Sequence, residues 1–409
     1  MITLQAALSA YVDALQPLPT RIVPTTDALN AVLAAPATAH TDLPRFDQSA
    51  MDGYTLRAAD ITAATPLSAI QLPIALHLPA GRSALAPLPQ GTAARILTGA
   101  MLPEGADTVI PQEIANRIDN DLRFEHPYPA QRNIRRRGDE LRIGAHLASI
   151  GQRIGPNLLA SLINAEVDTV VVRASPRISV IISGDEIRPP GAVLHPGEIH
   201  DSNGPMVAAL LHRWGYSGIT VRHVGDDESA VRATLAEAIA DSDLVISTGG
   251  ASVGDKDYLP AVAEALGTQR IFWRVAQKPG KPIFFGVHQS ASGAQCAVLA
   301  LPGNPGAVLI GMLLHVRTAL NVLEGLHAPE PLWQHGVLTE AVERDSDRTR
   351  LLRMQCYCDS SGTMQLQPLP HQDSHMLSNL GVADVLVRAE PGTSPVAAGS
   401  VLPWLPLPT

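Results

Sequence analysis

From residue 177 onward, the apolar positions of the chain switch repeatedly between two rhythms. Ile178–Ser183, Gly218–Val224, Leu244–Ile246, Arg270–Val275 and Ala297–Leu301 are short apolar runs. Such runs suit strands of a parallel sheet buried on both faces. Between them, Asn203–Trp214, Glu228–Ala240, Leu259–Leu266 and Gly306–Leu323 carry apolar residues at helical spacing; Met206, Ala209, Leu210 and Trp214 mark one such face. The alternation predicts a doubly wound α/β domain with helices on both sides of its sheet.

The flanking regions follow other rules. Leu4, Ala7, Leu8, Tyr11, Val12 and Leu15 predict an amphipathic helix over residues 3–15. A second helical stretch is expected near Thr26–Ala34, with Thr25 or Thr26 as its N-cap. Between residues 66 and 137, short β runs such as Ile70–Leu78, Ala94–Leu97 and Thr108–Pro111 are separated by Pro and Gly. Residues 155–166 read as a short helix and Val167–Val172 as a β-branched strand. Past residue 327, Gly336–Val342, Thr349–Cys358, Met364–Pro368 and Asp384–Glu390 read as strands of a small barrel or sandwich.

The chain therefore divides into four expected parts, a multidomain α/β plus β protein. A helical, mixed linker lobe takes residues 1–41 and 138–172, and a β-rich domain, residues 42–137, is inserted into it. The α/β domain spans residues 173–326 and a C-terminal β-barrel residues 327–409. A length of 409 residues agrees with several cores rather than one.

Candidate chemistry gathers where the expected strands end, the place where such sheets bind ligands. Asp185/Glu186, Asp226/Asp227, the Gly249-Gly250 loop and Pro302-Gly303-Asn304-Pro305 each follow a strand. The richest stretch is 243–258, where a buried run leads into Ser247, Thr248, Gly249, Gly250, Ser252 and Gly254, then Asp255 and Asp257. Glycines let a backbone approach a ligand closely. Successive N–H groups cradle an anion, and neighbouring carboxylates suit a hard cation such as Mg²⁺. An ordinary strand-to-helix turn has the same glycines. Lys278-Pro-Gly-Lys281-Pro places two cations on a stiff turn, either to meet an oxyanion or as a solvated surface turn. Asp47, Ser49 and Asp52, set among Phe46, Met51 and Tyr54, fit a site loop or an Asx-rich turn. Arg135-Arg136-Arg137 precedes Asp139 and Glu140, which could pair with it in a structural bend.

Several classes are disfavoured. A net charge of −9 argues against a general nucleic-acid surface. Neither Gly-x-Gly-x-x-Gly nor a P-loop signature opens the α/β domain. Cys296, Cys356 and Cys358 do not form a disulfide framework, which points to a reducing, cytoplasmic compartment. Cys356-x-Cys358 and His371-x-x-x-His375 are weak metal signals on their own. No signal peptide or membrane span is expected.

Seven segments occur in one order: Phe46-Asp-Gln-Ser-Ala-Met-Asp-Gly-Tyr54, Arg95-Ile-Leu-Thr-Gly99, Asn133-Ile-Arg-Arg-Arg-Gly138, Ser183-Gly-Asp-Glu186, Thr248-Gly-Gly-Ala-Ser-Val-Gly254, Lys278-Pro-Gly-Lys-Pro282 and Leu301-Pro-Gly-Asn-Pro305. Together they resemble the molybdopterin molybdenumtransferases, the MoeA or gephyrin E-domain family, over essentially the whole chain. The resemblance implies an elongated homodimer of four-domain subunits. Its active cleft would lie between the α/β domain of one subunit and the β-rich domain of the other. The implied substrates are adenylylated molybdopterin and molybdate, with Mg²⁺ assisting adenylate cleavage and AMP released with molybdenum cofactor.

The resemblance further implies roles for single residues. Asp52, Thr98, Glu186, Asp257, Lys278 and Lys281 would be catalytic. Ser183, Asp201, Thr248, Gly249, Gly250, Ser252, Gly254, Pro302, Asn304 and Pro305 would hold the pterin nucleotide. Glu186, Asp227 and Asp257 would hold the metal. Pathway proteins such as the adenylyltransferase would be partners. The sequence departs from the family at Gln48, Thr55, Ile182-Ser183 and Gly306, where Asn, Ala, Ser-Thr and Val are common. An adenylyltransferase of the preceding step and a gephyrin-like scaffold are the competing readings.

Overall fold

A computed structural model describes residues 1–81, 86–250 and 258–408. At its centre is a six-stranded sheet in the order 219–224, 178–183, 244–248, 295–301, 284–289, 269–273. The first four strands are parallel. The pleat sends alternate residues to opposite faces. Ile178, Val180, Ile182, Leu244, Ile246 and Leu299 enter one core, while Ile181, Val245, Val298 and Ala300 enter the other. Both faces are covered, so no polar alternation survives in these strands. Strand Phe284–Gln289 escaped the sequence reading. It runs antiparallel between its neighbours. Gly286 interrupts its apolar pattern, because a Cβ there would lie 2.6 Å from Thr268 Cγ2 and 3.0 Å from Gln269 O.

The N-terminal helix, Leu4–Ala14, is capped by Thr3, whose hydroxyl accepts from Ala6 N. The domain division expected from sequence assigns it to the linker lobe, but its apolar face packs into the α/β core. Leu4, Leu8, Tyr11 and Leu15 share a cluster with Phe272, Phe285 and Leu320. The lobe proper is built from Ala28, Leu33, Ala37, Ala148, Ile154, Leu162 and Val172. The helix expected over Thr26–Ala34 is only a 3₁₀ turn, Thr25–Asp27. Asn30 N, Leu33 N and Ala34 N donate instead to Ile154, Gln152 and Val171 carbonyls, so cross-chain pairing replaces the i→i−4 ladder. Helix Pro156–Asn164 and strand Thr169–Arg173 form as expected, the latter pairing with Thr20–Pro24.

The inserted β-rich sheet has the order 108–111, 53–56, 93–96, 70–78, 121–124, 116–118. Its Arg136 and Arg137 do form a bend. Besides Asp139, which accepts from Arg136 N, they engage Asp47, and Arg137 Nε donates to Asp42 at 2.6 Å. At the C-terminus, strands 334–338, 364–368, 349–358, 385–389 and 401–406 close on one another as a five-stranded barrel. Val401–Pro406 was hidden by its prolines. Pro403 lies outside the ladder with 385–389, and Pro406 ends the strand, so the missing N–H groups cost little pairing.

Among the described residues, one helix is long and apolar enough to span a membrane, Pro305–Leu323. It is 89% buried in the core. A wide π turn at Met312–Val316 interrupts it.

Candidate functional site

A cavity of about 830 Å³ opens where the parallel strands end. Ser183, Thr248, Gly249 and Gly250 form one wall, Glu186, Asp201 and Asp226 another, and Asn304 and Pro305 the floor. Sequence reasoning thus brought together residues from four separate strand ends.

The glycine turn is built to hold the backbone close. Gly249 and Gly250 have φ of +86° and +67°, a region costly for other residues. A Cβ on Gly249 would lie 2.6 Å from Ser183 O and 2.9 Å from its Oγ. Among the described residues, the buried Ser183 Oγ and Thr248 Oγ1 have no hydrogen-bond partner, and neither has Asn203 Oδ1. Buried polar atoms seldom go unpaired. These three border the cavity, ready for a polar ligand.

The acidic wall is ordered by neighbouring turns. Asp201 is 5% exposed; its Oδ1 accepts from Gly204 N at 2.8 Å, and Oδ2 lies 2.9 Å from His223 Nε2. Asp226 N donates to Asp185 Oδ1 at 2.9 Å, tying two strand ends together. Asp227, expected at the metal, caps helix Glu228–Asp241 instead. It accepts from Ser229 Oγ at 2.5 Å and Ala230 N at 2.8 Å, bonds that hold its carboxyl below the usual range. Its neighbour Asp226 is the one that faces the cavity. Ser252, Gly254 and Asp257 lie outside the described residues. Among the described residues, no three His, Cys, Asp or Glu side chains converge as a metal site.

Sequence reasoning missed one wall. His375 and Leu377, from the barrel domain, line the cavity. Their segment is fixed by Arg353, which is 1% exposed and donates through Nη2 to the carbonyls of His371 and Asp373, both at 3.0 Å. Gln372 Nε2 donates to Arg353 O at 2.7 Å. Asn304 Nδ2 donates to Ser374 Oγ, and Gly306 N to Ser374 O, both at 2.9 Å. The two histidines therefore differ in role: the His371 carbonyl anchors the segment, and His375 faces the cavity.

Gly306 has a spatial reason. A Cβ there would lie 2.4 Å from Arg353 Nη1 and 2.9 Å from Ser374 O. Gly306→Val is expected to dislodge this segment and cost about 1–3 kcal/mol of stability, the usual price of overpacking. Thermal melting measures it; an unchanged midpoint would mean that the guanidinium yields freely.

The remaining expected residues stand elsewhere. Pro302 is not among the residues that line the cavity. Lys278 and Lys281 are exposed: Lys278 ends the short strand Gln277–Lys278, whose backbone runs parallel to Thr349 and Arg350 of the barrel, and Lys281 stands on the turn that follows. Asp52 and Thr98 meet in the β-rich domain. Asp52 Oδ1 accepts from Thr98 N at 2.8 Å and Thr98 Oγ1 at 2.7 Å. Those two bonds, then Arg95, hold its carboxyl below the usual range.

Comparison with known proteins agrees with this architecture. Residues 2–165 match the MoeA N-terminal region (domain I and II), 179–322 the probable molybdopterin binding domain, and 335–407 the MoeA C-terminal region (domain IV). A molybdopterin molybdenumtransferase of Staphylococcus epidermidis is 30% identical over 92% of this chain and 88% of its own. Molybdopterin molybdenumtransferase 2 of Mycobacterium tuberculosis is 32% identical over 93% of each. A crystal structure of the molybdopterin biosynthesis MoeA protein of Pyrococcus horikoshii aligns over 100% of both chains, with TM-score 0.80 and 26% identity. Fold and site thus define an enzyme of molybdenum cofactor biosynthesis built around a molybdopterin-binding domain. The chain belongs to the MoeA family, the molybdopterin molybdenumtransferases.

Proposed function

We propose that this enzyme binds adenylylated molybdopterin in the strand-end cavity and, with molybdate, forms molybdenum cofactor and releases AMP. The observation that carries this reading is the glycine turn with its Ser183 and Thr248 hydroxyls, unpaired among the described residues, facing a cavity of about 830 Å³. Backbone N–H groups and hydroxyls there suit the pyrophosphate of the substrate. Asn203 and Asp201 offer polar partners for pterin or ribose, and Asn304-Pro305 shapes the floor.

Glu186 and Asp226 offer hard oxygen ligands suited to Mg²⁺, with water completing its shell. Asp257 remains a third candidate, whereas Asp227 is committed to its cap. When bound, the ion would neutralise charge on the pyrophosphate as the phosphoanhydride is cleaved. Lys278 and Lys281, exposed outside the cavity lining, would attract the oxyanions of the substrate.

Asp52 and Thr98 do not line the cavity. We place them opposite the cavity of a second copy, in a homodimer whose every site draws on two chains. The three cysteines are unpaired, in keeping with work in the reducing cytoplasm beside the adenylyltransferase that supplies the substrate. The test is AMP release from adenylylated molybdopterin on adding molybdate. Release that ignores molybdate would contradict the reading.

A further inference from the structure

The lysine turn rests on a buried polar chain that the proposed chemistry does not use. Tyr11, Gln277 and His315 are each 0% exposed. They sit beside an apolar core in which the Tyr11 ring packs at a tilt of 46° against Phe285, 4.4 Å between ring centroids. Tyr11 Oη lies 3.1 Å from His315 Nδ1, and His315 Nε2 lies 2.8 Å from Gln277 Oε1. Gln277 Nε2 donates to Pro279 O at 3.2 Å.

Each donor and acceptor in this chain has one possible assignment. The Gln277 NH₂ faces the Pro279 carbonyl, so its oxygen must accept from His315. His315 then carries its proton on Nε2, and Nδ1 accepts from the Tyr11 hydroxyl. Burial holds the imidazole neutral, with its pKa lowered to about 3, so the chain keeps this arrangement at neutral pH. His315 lies within the wide π turn at Met312–Val316. Such π turns recur at functional positions.

The amide also fills the inside of the turn. Gly280 has φ of +94°, and a Cβ on it would lie 2.6 Å from Gln277 Nε2. On the other side, Lys281 O accepts from Val275 N and Ile283 N. The loop is therefore held at both ends while both lysine side chains remain exposed. An apolar core would be cheaper to build than three buried polar groups. What the chain yields in return is a fixed orientation of the 278–281 backbone.

We infer that Gln277 is a positioning residue: its amide, oriented by His315 and Tyr11, sets the turn that presents Lys278 and Lys281 to the oxyanions of the substrate. This rests on the reading that those lysines meet substrate, and the experiment separates the two. KM for adenylylated molybdopterin, kcat for molybdate-dependent AMP release and melting temperature are measured on the full chain. Lys281→Ala should raise KM about tenfold, as expected for a lost charged hydrogen bond. Gln277→Leu should raise KM by about 3–10-fold with kcat within about twofold, the effect of a displaced binding group. Gln277→Glu should keep KM near wild type, because a buried, neutral carboxylic acid retains one acceptor and one donor. A pure packing role gives the reverse order, with Leu tolerated and Glu not. Should Gln277→Leu fail to fold, Tyr11→Phe decides, since it removes a single hydroxyl. Raised KM in Tyr11→Phe supports the relay and wild-type KM overturns it. If Lys281→Ala leaves KM unchanged, the lysine reading fails first. If Lys281→Ala raises KM and Gln277→Leu does not, only the positioning role fails.

Discussion

Asp52→Asn is expected to lower molybdate-dependent AMP release about 10²-fold, comparable with the loss of one preorganised electrostatic group. The carboxylate accepts two hydrogen bonds from Thr98, and an amide oxygen in the same place can accept both. The loop geometry should therefore survive while the charge is lost. That charge is present at neutral pH, because the Thr98 backbone and hydroxyl bonds hold the carboxyl low. An acceptor-only group cannot touch molybdate or phosphate directly. In the proposed dimer its role would be to orient a donor or a metal-bound water. Melting temperature should barely move, because Asp52 lies outside the packed core and the amide keeps both bonds. Full release by Asp52→Asn would return the loop to a plain turn, and a collapsed melting temperature would make it structural.

Gly249→Ala is expected to cut kcat/KM by about 10²-fold or more, the scale seen when site groups shift by about 1 Å. Two causes add. The backbone sits at φ +86°, where a side chain is strained, and the new methyl would press on Ser183 O at 2.6 Å. Relief requires moving either the glycine turn or the end of the 178–183 strand, and both line the cavity. The loss should appear mainly in substrate affinity, measured by titration with adenylylated molybdopterin. Wild-type affinity would show that the turn lies away from the ligand.

The α/β domain was legible because its strands are buried on both faces. Ile178–Ser183 and the strand opening the 243–258 stretch announce themselves as apolar runs, and the polar groups just beyond them locate the cavity. What stayed hidden depends on distant contacts. The N-terminal helix has the period of any amphipathic helix, and nothing local says that its face meets Phe272 and Phe285 rather than the linker lobe. Thr26–Ala34 has helical spacing, yet the N–H groups of Asn30, Leu33 and Ala34 donate to carbonyls more than a hundred residues away. Asp226 and Asp227 are adjacent carboxylates; only the start of the next helix decides which one caps it and which faces the cavity. The wall formed by His375 and Leu377 depends on Arg353 docking against Gly306, a contact between two domains. The absence of a side chain at Gly306 was the one visible trace of it.

The most direct measurement mixes two impaired chains, assayed with substrate below KM. Asp52→Asn and Gly249→Ala proteins are each purified, combined, dissociated and allowed to reassociate, and molybdate-dependent AMP release is followed. If each site joins the α/β domain of one chain to the β-rich domain of the other, a mixed dimer holds one intact site and one doubly altered site. Random assortment then restores about one quarter of wild-type activity, the statistical share of intact sites in a two-fold dimer. Activity that stays at the level of the separate variants, with mixed dimers demonstrably formed, would contradict a site shared between two copies of this molybdopterin molybdenumtransferase.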